Sequence, residues 1–62
     1  MIYTFRAETA DDADTATAIA LPSAKTLDQW QDDGTWWFKV WTDDRELPRK
    51  IRPYARLERR EW

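Results

Sequence analysis

Sixty-two residues form a single domain, residues 1–62, and a domain of that size buries only about 60% of the surface its unfolded chain exposes, so its core must be small. With no cysteine and no histidine, disulfides and thiolate zinc are excluded, and the commonest general base, metal ligand and pH switch are missing. The net charge of −2 is unevenly laid out: three basic residues stand against nine acidic ones from Met1 to Asp44, whereas seven basic residues stand against three acidic ones from Arg45 to Trp62.

In chain order, Ile2 to Glu8 alternates as a strand, with Tyr3, Phe5 and Ala7 on one side and Ile2, Thr4 and Arg6 on the other. Thr9 then opens a helix in a box-like arrangement with Asp12. Asp11, Asp12 and Asp14 favour the positive end of its dipole. The helix is built from alanines, which can approach a sheet closely, and Pro22 closes it. Lys25 to Gln31 is the most ambiguous stretch. Thr26-Leu-Asp-Gln29 could open a second helix, but a strand with Thr26, Asp28 and Trp30 on one side is preferred because the turn that follows needs one.

That turn is Asp33-Gly34, containing the only glycine. An Asp-Gly pair between aromatic-rich runs predicts a hairpin, since both central positions of a type I′ turn need positive φ. Thr35 to Thr42 is its second strand. Trp36, Phe38 and Val40 share the predicted core face, and Trp37, Lys39 and Trp41 the other. The tryptophans have a structural explanation, because large rings supply buried area from few positions. Trp37 and Trp41 could rest on the C-terminal segment, or serve as anchors for a partner.

Asp43 to Glu46 is a charged connection. A helix through Leu47, Ile51, Tyr54 and Glu58 would enclose Pro53 at a cost of about 3 kcal/mol. A short edge strand over Tyr54 to Arg60 is preferred, with Ala55 and Leu57 inward and Arg56, Glu58 and Arg60 outward. The predicted class is α+β: a small antiparallel sheet in the order β-α-β-β, with a fourth strand at an edge and one short helix on one face. No apolar run is long enough to cross a bilayer and no signal segment is visible, which predicts a soluble, cytoplasmic protein.

The chemistry points away from catalysis. No nucleophile–base pair can be assembled, and neither the DADTAT nor the QDDG stretch has the spacing of a calcium loop. Neither an enzyme, a metal site nor a cofactor is expected. Three binding readings remain. The first in rank is an inhibitor or adaptor whose Asp11, Asp12, Asp14, Asp32, Asp33, Asp43 and Asp44 dock onto a basic, nucleic-acid-handling protein, using carboxylates where phosphates would sit. The second is direct nucleic-acid binding through Arg49, Lys50, Arg52, Arg56, Arg59 and Arg60, with Tyr54 or Trp62 stacking on bases. The third is a generic interaction subunit, monomeric or a weak homodimer, using Trp37, Trp41 and the edge strand.

In size, in the absence of cysteine and histidine, and in the paired aspartates Asp11-Asp12, Asp14, Asp32-Asp33 and Asp43-Asp44, the chain resembles the small phage-encoded inhibitors of the anti-CRISPR type. That resemblance implies a stoichiometric blocker of a CRISPR surveillance complex, acting in the host cytoplasm. The basic C-terminal third departs from pure DNA mimicry.

Overall fold

Asp33 and Gly34 both take positive φ, 53° and 78°, and reverse the chain as the Asp-Gly pair predicts. They join β2 (Ala24–Asp32) to β3 (Thr35–Thr42) in a computed structural model that describes residues 1–62. Before this hairpin come β1 (Ile2–Ala7), α1 (Ala10–Ala20) and a 3₁₀ turn (Leu21–Ser23). After it come α2 (Leu47–Ile51) and β4 (Arg56–Glu61). The sheet order is β2-β3-β1-β4, with every neighbouring pair antiparallel. The predicted α+β class and the fourth strand at an edge are therefore observed.

β1 and β2 both run antiparallel to β3, so α1 carries the chain over the sheet and β3 returns into the gap. The two parallel strands that this link joins, β1 and β2, are therefore not adjacent in the sheet. Thr9 begins α1, its hydroxyl accepting the Asp12 backbone N–H at 3.1 Å. Ala13, Ala16 and Ala20 are buried. Spaced along one side, these small residues let the helix lie close enough for Tyr3, Phe5, Phe38 and Val40 to fill the core beneath it. The Phe5 and Phe38 rings stack at 4.9 Å. Pro22 sits within the 3₁₀ turn that ends the helical stretch. The alternative second helix from Thr26 does not form, since those residues pair with β3 from Thr26↔Trp41 to Asp32↔Thr35.

Two features of the C-terminal third correct the sequence expectation. Residues 47–51 form a helix that stops before Pro53 and buries Leu47 and Ile51, so the proline ends up outside it and its cost is avoided. The second correction is a bulge in β4: Phe5 pairs with Leu57 and Thr4 with Arg59, leaving Glu58 as the extra residue. Ala55 is buried and Leu57 packs on the core as expected. Beyond the bulge the alternation inverts, and Arg60, expected outward, lies opposite buried Tyr3 with its guanidinium 5.7 Å from the ring centroid.

At the other end of the sheet, Met1 O accepts the Thr42 N–H at 3.0 Å. The buried Thr42 hydroxyl donates to Ser23 O at 2.9 Å and accepts from Asp44 N–H at 3.0 Å. No helix is long and apolar enough to cross a membrane.

Candidate binding face

Both helices pack against the side of the sheet carrying Tyr3, Phe5, Phe38 and Val40, and the opposite side carries no element of the chain. Strand register alone arranges that open face as three rows across four strands. The first row reads Trp30–Trp37–Arg6–Arg56, the second Asp28–Lys39–Thr4–Arg59 and the third Thr26–Trp41–Ile2–Glu61. None of these residues is buried.

The indoles are ordered by the ladder. Trp30 and Trp37 face each other across the hairpin with centroids 6.3 Å apart and planes 7° from parallel. Cross-strand aromatic pairs of this kind add to sheet stability. Trp30 and Trp41 remain 41% and 45% exposed. Lys25, the bulged residue of β2, places its ammonium 5.1 Å from the Trp41 ring centroid. The C-terminal segment covers neither Trp37 nor Trp41, because β1 lies between β3 and β4.

The electrostatics of this face differ from those of the whole molecule. Arg6, Lys39, Arg56 and Arg59 oppose Asp28, Glu61 and Asp32, the last following Trp30 on the same side of β2 opposite Thr35, and the bulged Lys25 and Glu58 add one charge of each sign. The face is therefore net +1 on a chain of net −2. Arg6 and Arg56 are direct cross-strand neighbours, which alone would be repulsive. Glu58 accommodates them by approaching Arg6 at 3.6 Å and Arg56 at 3.4 Å.

The residues singled out by sequence are dispersed. β1 ends beside the start of β3, Ala7↔Trp36, so Asp11, Asp12 and Asp14 at the start of α1 and Asp32 and Asp33 at the hairpin tip project from one end of the sheet. None of these five forms an ion pair. Asp43 and Asp44 lie at the opposite end, held by Lys25 at 2.9 Å and Lys50 at 2.8 Å. The hydrogen bond and charge of Lys25 lower the pKa of Asp43, and the Lys50 hydrogen bond followed by the Glu46 backbone N–H lowers that of Asp44. No three acidic side chains converge as a metal site would require.

The six basic residues divide three ways. Arg49 and Lys50 are on α2, paired with Glu46 and Asp44. Arg56 and Arg59 are on the open face, while Arg52 and Arg60, together with Arg56, line a groove along the outer side of β4. Two residues of the first row, Trp30 and Arg6, escaped the sequence reading. Counting back from a two-residue turn places Trp30 opposite Trp37, and alternation in β1 places Arg6 on the same side. The position of Arg60 depends on a bulge that no local pattern announces.

Comparison with family models, curated proteins and solved structures gave no match to this chain.

Proposed function

We propose that the protein is a non-enzymatic binding domain that holds single-stranded nucleic acid against the helix-free face of its sheet. The observation carrying this reading is the row Trp30–Trp37–Arg6–Arg56, in which two parallel indoles lead directly into two guanidiniums. Every base has a π face to stack on an indole, while cations beside the stack neutralise the backbone. Trp41, Lys39 and Arg59 extend the same combination over the remaining rows. Of the acidic residues at that end, Asp32 borders Trp30 on this surface, while Asp33 and the aspartates at the start of α1 lie off it, and at physiological salt fields fade over about 8 Å.

The test is a tryptophan-fluorescence titration with single-stranded oligonucleotides at low and raised salt. Saturable quenching is expected, with log K falling by about 0.7 per phosphate neutralised for each tenfold rise in salt. A duplex of the same sequence should bind more weakly, since its bases are already stacked. No quenching at low salt, or equal affinity for the duplex, would overturn the reading.

A second reading is favoured by the five unpaired carboxylates Asp11, Asp12, Asp14, Asp32 and Asp33 at one end. On it, the domain is a stoichiometric inhibitor, phage-encoded and of the anti-CRISPR type, that docks this end onto a basic nucleic-acid-handling complex. Retention on an arginine-rich bait, abolished by reversing Asp11, Asp12 and Asp14 to lysine, would support it. Retention unchanged by the reversal would remove that end as the docking site.

A further inference from the structure

Along the outer side of β4 runs a groove of about 570 Å³ bounded by Arg6, Arg52, Arg56, Arg60 and Tyr54, with Glu8 and Asp12 in its wall towards α1. Four guanidiniums thus face two carboxylates in one concavity. Their compensation is unequal. Arg6 and Arg56 share Glu58, and Arg6 Nε lies 3.8 Å from Glu8 Oε1. Arg52 and Arg60 have no carboxylate partner. Arg60 instead spans Tyr3 and Trp62, its guanidinium 5.7 Å from each ring centroid. The Arg6 Nε is buried and makes no hydrogen bond, an arrangement that costs free energy.

We propose that this groove is a binding site for a phosphate monoester, adjoining the open face at Arg6 and Arg56 and independent of whether that face binds a strand. The two uncompensated guanidiniums match a group that carries a charge of about −1.5 to −2 at neutral pH and offers three acceptor oxygens. The planar donor fork of arginine suits phosphate bidentately, which is the usual reason for arginine at such sites. Tyr54, 38% exposed in the wall, offers a ring beside which a sugar or base attached to the phosphate can lie. Arg6 and Arg56 belong to both the groove and the first row of the open face. The end of a strand lying on the sheet is therefore one source of the monoester, and a free phosphate or mononucleotide is the other.

The experiment is an NMR titration of the arginine Nε–Hε resonances of the intact protein with inorganic phosphate, adenosine monophosphate, and oligonucleotides ending in either 5′-phosphate, 3′-phosphate or hydroxyl. Saturable shifts confined to Arg6, Arg52, Arg56 and Arg60 are expected with inorganic phosphate, while Arg49 on α2 stays still. Arg52→Gln and Arg60→Gln should each weaken phosphate about tenfold, as for loss of a charge-assisted hydrogen bond. If the strand end is the source, one phosphorylated oligonucleotide binds more tightly than its hydroxyl counterpart, and the two variants erase that difference. If only the free ions titrate, the ligand is a small molecule. Equal, unsaturable shifts at all arginines, or unaltered phosphate affinity in both folded variants, would overturn the site. Inorganic phosphate contains no base, so its result stands apart from fluorescence quenching at the open face.

Discussion

Trp30 and Trp37 hold their rings within 7° of parallel across the hairpin, and one edge of that stack faces solvent because Trp30 is only partly covered. Replacing either with alanine should weaken single-stranded oligonucleotide binding by about 1–3 kcal/mol, the usual worth of one base–aromatic stack. The coupled indole signal in circular dichroism should disappear in both single variants alike. Fluorescence titration checks the first expectation, and retention of affinity in both variants would separate the stack from binding.

Glu58 stands between two arginines that face each other across β1 and β4. Glu58→Gln should leave that repulsion unscreened and cost about 0.2–1 kcal/mol of stability. The same change raises the positive charge of the open face. Oligonucleotide binding should tighten at low salt, and the gain should shrink as salt rises. Unfolding in urea and titration at two ionic strengths measure the two effects, which have opposite signs.

The buried Thr42 hydroxyl bridges Ser23 O and Asp44 N–H. Thr42→Val keeps the shape but leaves both backbone groups without a partner, a loss of about 1–3 kcal/mol. The urea midpoint should fall with an unchanged slope.

Lys25 beside Asp43 and Lys50 beside Asp44 hold the two carboxyls below the ordinary aspartate range. A carboxylate whose pKa falls on folding contributes stability that is present above the unfolded value, about 3.9, and is lost as pH drops through the folded value. Carboxyl NMR titration should find both groups ionised to lower pH than ordinary aspartates. Lys50→Met should move Asp44 upward while Asp43 stays in place, and Lys25→Met should do the reverse. An Asp44 titration indifferent to Lys50 would contradict the hydrogen-bond origin.

Gly34 has φ +78° and nothing near the position a Cβ would take. Gly34→Ala should therefore cost only the conformational strain of a left-handed alanine, about 1–2 kcal/mol. Gly34→Asn should cost less, because asparagine visits this region more readily. Thermal unfolding of the two variants orders them.

Much of the architecture follows from local chemistry. The Asp33-Gly34 turn, the Thr9 cap, and the alternation in β1 and β3 each have a short-range cause, and together they establish the sheet and its covered side. The hairpin register was also accessible, since a two-residue turn dictates Trp30↔Trp37. What escaped are features set by distant partners. Leu47 to Ile51 coils because both residues find the core under α1, which their own neighbours do not encode. Asp43 and Asp44 read as surface acid until the fold brings Lys25 and Lys50 to them. The basic residues after Arg45 look like one tract in the chain, yet a helix, an edge strand and an irregular rung send them to three places.

The irregular rung at Glu58 changes the parity of the C-terminus. Before it, odd-numbered residues of the last strand look toward the helices; after it, even-numbered ones do. Excising this one residue would thus leave Leu57, Arg60 and Trp62 on their present sides and straighten the strand. The tail can be shortened by one letter there without being turned over, at the expense of the only carboxylate that Arg6 and Arg56 hold in common.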